Sequence, residues 1–166
     1  MFGKYIKKMA NNMVIAEQFI NSNMEVDYVI KRDGTKEEME FDKILRRIKN
    51  LSENLAINPT KVTKKVCSQT FPDIKTSEID ELAAQICASL STEHPNYGIL
   101  AARIIISNHH KNTYPSFTET TRLLYEASLV TKKHYDIVIQ NGSKLNDVID
   151  YNRDFDLDYF GFKTLE

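Results

Sequence analysis

A chain of 166 residues, 42% apolar and 27% charged, has the make-up of a globular protein with room for one ordinary domain, or a small one and part of a second. Its formal net charge of −1 argues against a global field that draws it to nucleic acid or membrane, so a bound anion must be held by local cations. Two cysteines without C-x-x-C spacing, Cys67 and Cys87, argue against a disulfide framework or zinc ribbon, and no apolar run approaches the roughly 18 residues needed to span a bilayer.

Residues 1–25 read as a poorly ordered extension, basic at Lys4, Lys7 and Lys8, interrupted by Glu17, and with at most a short helix over 13–20. It has no convincing secretory cleavage site. Asn21, Ser22 and Asn23 mark a linker. The β-branched run 26–31 predicts a strand, Asp33-Gly34 a tight turn, and 35–40 a short charged return strand. Such a hairpin is marginal alone and must lie on helices or gain another strand.

Helices follow. Ile44, Ile48, Leu51 and Leu55 define one apolar face over 42–55, with Asp42 placed to cap its start. Asn58-Pro59 opens a helix to about residue 70 that buries Val62 and Val66. After the break at Phe71-Pro72-Asp73, Thr76-Ser77 starts a third, with Ser77 and Asp80 in capping-box spacing and a stripe of Ile79, Leu82, Ala83, Ile86 and Leu90. Residues 96–112 are apolar nearly all round, which predicts the central and most buried helix. Tyr114-Pro115-Ser116 is the best candidate for a domain boundary. Shorter helices are expected over 117–127, 132–140 and 142–149. The last stretch, 151–166, is aromatic and acidic without a clean period. Its five aromatics, Tyr151, Phe155, Tyr159, Phe160 and Phe162, call for a partner surface larger than this chain offers.

Few residues point to chemistry by themselves. Lys31-Arg32 beside a glycine turn suits phosphate oxygens, but equally a solvated basic pair on an exposed hairpin. Neither G-x-x-x-x-G-K-[ST] nor G-x-G-x-x-G is present. Lys111 closes the central helix, where it can serve the helix dipole or an anion. Thr76 and Asp80 share a helix face and suit capping, or hydrogen bonds to a ribose or base. Adjacent His109 and His110 point about 100° apart on a helix and do not both face one ion easily. Asp154-x-Asp156-x-Asp158 starts like a calcium loop, but Tyr159 and Leu165 stand where that loop needs Gly and Glu. No nucleophile–base pair and no redox pair of cysteines is recognisable.

Together, V-I-K-R-D-G (29–34), E-F-D-K-I (40–44), T-S-E-I-D-E-L-A-A (76–84), H-P-N-Y-G-I-L-A-A-R-I (94–104) and S-N-H-H-K (107–111) resemble the ATP-cone, the regulatory nucleotide-binding domain of ribonucleotide reductase large subunits. The tail, Y-N-R-D-F-D-L-D-Y-F-G-F-K-T-L-E (151–166), looks like the stretch after the cone in class I large chains. The resemblance implies a mainly α fold: a four-helix ATP-cone over 26–114 covered by a small β-hairpin, then, over 115–166, the short helices that start the reductase helical domain. It implies allosteric binding of ATP or dATP, with magnesium, in an enzyme of deoxyribonucleotide synthesis. Lys31, Arg32 and Lys111 match the family's phosphate-side cations. Glu37, Phe41, Asp42 and Lys43 match the segment lining the site, and Thr76 and Asp80 the residues facing the nucleoside. The family's catalytic cysteines lie beyond this stretch, so the chain by itself is expected to be inactive and to carry no catalytic cofactor. Implied partners are the rest of the large subunit, a small radical-generating subunit and further copies in an oligomer, in the cytoplasm, with no nucleic acid and no membrane. Two other readings stay open. One is an interaction module of a split reductase that docks through Tyr159-Phe160-Gly161-Phe162. The other is a cone-bearing transcriptional repressor, although 1–25 lacks the cysteines of a zinc ribbon.

Overall fold

The computed structural model describes residues 27–166. The expected extension over 1–25, its helix over 13–20 and the linker at 21–23 lie outside the described residues. The first elements are two short antiparallel strands, β1 (Tyr28–Ile30) and β2 (Lys36–Glu38), with Ile30 opposite Lys36. Asp-Gly does not form the two-residue turn that its dipeptide suggests. Five residues, 31–35, make the loop. The Gly34 N–H donates to the Lys31 carbonyl at 3.0 Å, and Gly34 alone in the loop has a positive φ, +84°. Asp33 holds the loop from within, accepting from the Thr35 N–H at 2.9 Å and the Thr35 hydroxyl at 2.6 Å, and these bonds keep its carboxyl below the usual aspartate range.

The hairpin gains the strand it needs. β3 (Ile74–Lys75) pairs parallel to β1 and completes a sheet of order β2-β1-β3. Two residues are too few to show a strand period in sequence. Asp73 places them: its φ of 61° turns the chain, and its N–H reaches the Tyr28 carbonyl at 2.8 Å.

Four helices share one core with Val29 and Ile74 of this sheet: α1 (Phe41–Leu51), α2 (Pro59–Cys67), α3 (Thr76–Leu90) and α4 (Pro95–Asn112). Asn58 caps α2 as expected, accepting from the Lys61 N–H at 3.1 Å. Two expected caps are different. The N-cap of α1 is Glu40, without a side-chain bond, and Asp42 stands inside the first turn. At α3 the reciprocal contact is Glu78 accepting from the Lys75 N–H at 3.1 Å, not Ser77 with Asp80. That change frees Asp80 to turn inward. α1 also ends earlier than its apolar period suggests, because Asn54 adopts a φ of 62°. Leu55 still reaches the core from the loop, and Arg103 donates to the Leu51 and Glu53 carbonyls at 3.1 and 2.9 Å.

α4 is the central helix. Leu100, Ala101, Ile104, Ile105 and Ile106 are all at most 1% exposed. Its most extensive partner is α3, where small Ala83, Ala84 and Cys87 allow close approach. Cys87 is fully buried, and burial pushes its thiol up to about 12.

Three shorter helices pack on one another: α5 (Phe117–Glu126), α6 (Lys132–Gln140) and α7 (Gly142–Val148). Ser116 and Thr131 cap the first two. The 151–166 stretch, without a clean period in sequence, is ordered as a 3-10 helix (Tyr151–Asp156) and α8 (Tyr159–Leu165), and it folds back onto α4. Phe162 joins the main core at 8% exposure with Tyr159 packed beside it, so half of the Tyr159–Phe162 contact proposed for a separate chain is satisfied within this one. Phe160 remains 68% exposed.

The turn at Gly34 yields a test. A β-carbon there meets nothing within 4 Å, so Gly34→Ala costs only the backbone strain of a positive φ, about 1 kcal/mol. Urea unfolding of the variant against the parent measures it.

Candidate functional site

Between the sheet and α1, α3 and α4 lies a chamber of about 180 Å³ with an apolar floor of Val29, Met39, Ile44, Ile48, Ile79, Ala83 and Ile104. It adjoins a shallower groove of about 510 Å³. Lys31, Arg32 and Lys111 line both, so a single elongated ligand could run from one into the other. The two differ in charge. In the chamber wall, Lys31, Arg32, Lys43, Arg47 and Lys111 face Glu37, Glu38, Glu40 and Asp80. The groove is lined by Lys31, Arg32, Lys75 and Lys111 with no carboxylate, beside Gly34, Ser77 and Asn112.

Asp80 organises the junction. Its side chain is 9% exposed, yet it is ionisable and sits among three cations from three elements. Arg47 of α1 donates through Nε to Oδ1 and through Nη2 to Oδ2, both at 3.2 Å, the planar fork that suits a carboxylate. Arg32 of the β1–β2 loop reaches Oδ2 at 3.5 Å, and Lys111 of α4 lies 3.8 Å from the same oxygen. Polar groups of α4 complete the cage. The buried Asn108 accepts from Arg32 Nη2 at 2.5 Å and donates to the Ser77 carbonyl at 3.2 Å. Asn112 accepts from Arg32 Nε at 2.8 Å, and the Ser107 hydroxyl accepts from Arg47 at 3.1 Å. Burial holds Lys111 below its ordinary value of 10.5; Asp80 pulls the other way, and Arg47 and Arg32 add repulsion.

A second cluster stands at the rim. Glu37 on β2 forms ion pairs with both Lys31 and Lys43, and Lys43 also reaches Glu40 at 2.8 Å. These lysines are about half exposed.

Seven of the nine residues singled out from sequence therefore line one continuous site: Lys31, Arg32, Glu37, Lys43, Thr76, Asp80 and Lys111. Phe41 and Asp42 are not among its lining residues; both are exposed at the start of α1. Sequence reasoning missed Arg47, Asn108 and Asn112. The signal for Arg47 was its spacing of four from Lys43 on the same helix, and for the asparagines the spacing of three and four from Asn108 to Lys111 and Asn112.

The buried carboxylate is a stability feature as well as a site feature. Asp80→Asn keeps the shape but leaves three crowded cations without a counter-charge. It should lower the unfolding free energy by about 3 kcal/mol, the lower end for a broken buried pair because the cations are partly solvated. Denaturant unfolding reads this directly, and added inorganic triphosphate should recover part of the loss.

The family model for the ATP cone domain matches residues 27–112. Over 154 residues the chain is 52% identical to the ribonucleoside-diphosphate reductase large subunit of Dictyostelium discoideum, covering 84% of this chain and 18% of that protein. It is 44% identical over 151 residues to the large subunit of Arabidopsis thaliana, and 45% identical over 151 residues to large chain 2 of Saccharomyces cerevisiae, again across 84% of this chain. The chain thus spans less than a fifth of the length of these relatives.

Proposed function

The chain belongs to the ATP-cone family, and we propose that it is the allosteric ATP- and dATP-binding part of a ribonucleoside-diphosphate reductase large subunit. One observation carries this: an apolar chamber opens directly onto a groove lined by four cations and no carboxylate. A purine nucleotide has the matching polarity, a flat, largely apolar base at one end and a polyanion at the other. The base and ribose would occupy the chamber beside Thr76 and Asp80. The triphosphate, as its magnesium complex, would lie along Lys31, Arg32 and Lys111. Lys43 is released to it when Glu37 is displaced. Charge-assisted hydrogen bonds from fixed guanidinium and ammonium groups suit phosphate oxygens without a glycine-rich phosphate loop.

The role proposed is regulatory. ATP and dATP differ by one hydroxyl, so opposite effects on the enzyme need differential contacts in two assembly states, worth about 1–3 kcal/mol of coupling. We place the cone at 26–114 and the start of the next domain at 115–166. The rest of the large subunit, the small radical-generating subunit and further copies of the chain are the partners this role implies.

Calorimetric titration with magnesium ATP and dATP tests it. Lys111→Ala and Lys31→Ala should each weaken both nucleotides by roughly tenfold to a hundredfold, the loss of one charge-assisted bond of about 1.5–3 kcal/mol. Unchanged affinity in both variants would sink the assignment.

A pH dependence follows from Lys111. Its pKa is lowered in the free protein, and a bound phosphate restores it toward 10.5, so binding takes up a proton in that window. Affinity should fall as pH rises through the lowered value. Lys111→Arg, which stays charged, should abolish that fall.

A further inference from the structure

The last turn of α4 carries two sets of side chains on different faces. Asn108, Lys111 and Asn112, spaced three and four apart, hold Arg32 and Asp80 in the site. His109 and His110, between them, face the tail. The His109 ring meets Phe162 edge-on at 5.4 Å, and its Nδ1 lies 3.5 Å from Glu166. His110 Nε2 is 2.7 Å from Asp154 Oδ2, and its ring stands edge-on to Tyr151 and Phe155 at 6.2 and 5.9 Å. The tail also reaches the other helix that builds the site. Lys163 pairs with Glu81 at 3.2 Å, and Glu81 directly follows Asp80 on α3. Phe162 is buried in the core that α3 and α4 share.

From this placement we propose that the 151–165 segment is the element through which the cone reports its occupancy: tail docking on α4 and nucleotide binding are coupled. The proposal rests on the nucleotide assignment above and extends it. A ligand that draws Lys111 and Arg32 from Asp80 toward phosphate changes what holds the final turn of α4. The tail grips that same turn from the other side. By linkage, loosening the tail must alter nucleotide affinity by the factor with which nucleotide alters docking. Helix ends fray when little holds them, so an undocked tail leaves Asn108, Lys111 and Asn112 less fixed and weakens binding.

The chain contains no tryptophan, which supplies a reporter. In Phe155→Trp the sole indole stands against His110. Titration with magnesium ATP should change its emission with the midpoint found by calorimetry. Asp154→Asn in the same background should weaken ATP at least threefold and diminish the emission change. Binding heat with flat emission, and affinity within twofold on Asp154→Asn, would overturn the coupling while leaving the nucleotide assignment standing. Absence of binding heat would overturn both. Amide hydrogen exchange over 151–165 of the unaltered chain covers the case in which the indole disturbs the fold. ATP should change protection there, and unchanged protection at saturation would overturn the coupling.

Discussion

Asp80 is a carboxylate buried on a helix otherwise lined with alanine and isoleucine, and its ionised form is tolerable only because Arg47 forks onto it while Arg32 and Lys111 stand near. Each cation comes from a different element: the β1–β2 loop, α1 and α4. One side chain on α3 therefore ties together every wall of the site. Arg32 and Arg47 are in turn held by hydrogen bonds to Asn108, Asn112 and Ser107. Three like charges would otherwise repel one another, and the Asp80 carboxylate is the counter-charge among them. A polyanion entering the groove meets Arg32 already oriented by Asn108 and Asn112, which spares that contact part of its ordering entropy.

The rim behaves differently. Glu37 with Lys31 and Lys43 is a partly exposed network, and pairs of that kind contribute roughly 0–1 kcal/mol each. Exchanging Glu37 for phosphate is therefore inexpensive, while displacing Asp80 from Arg47 is not. The site divides into an inner carboxylate held by the Arg47 fork and an exchangeable outer clamp, a division that follows the burial of the two carboxylates, 9% exposed at Asp80 and 24% at Glu37.

Much of this was legible in the residues. The apolar spacing of Ile44 and Ile48, the Asn58-Pro59 cap and the all-round apolar 96–112 helix are local patterns, and local patterns survive folding. Most of the misses share a cause. β3 is two residues long and exists only because Asp73 bends the chain beside β1. Asp80 fits a capping spacing by sequence, and only the competing Glu78 bond to Lys75 shows that it is free to turn inward. Arg47 meets Asp80 only because the fold brings α3 against it. The tail has no period of its own because one surface, the end of α4, orders it as two short pieces. Each miss other than the local Glu78–Lys75 cap depends on a contact between residues distant in sequence.

The division of polarity also bears on selectivity. Four cations in an open groove attract any phosphate-rich anion, so the groove confers affinity with little discrimination. On the proposed assignment, the apolar chamber would separate a purine nucleotide from inorganic polyphosphate, because only the former carries a face to bury against Ile44, Ile48 and Ile79. Neither feature separates two nucleotides that differ by one hydroxyl. A ligand shifts an equilibrium only by its differential affinity for the two states, so in the proposed regulatory role a distinction between ATP and dATP would reside in groups close to the ribose. Asp80 is such a group, because the proposed pose sets the ribose beside it. Its three cations belong to separate elements, and a small change in how one hydroxyl competes for Asp80 alters the pull on the loop, α1 and the end of α4 together. In the proposed role such a site needs no reactive group, only a buried charge shared among the β1–β2 loop, α1 and α4.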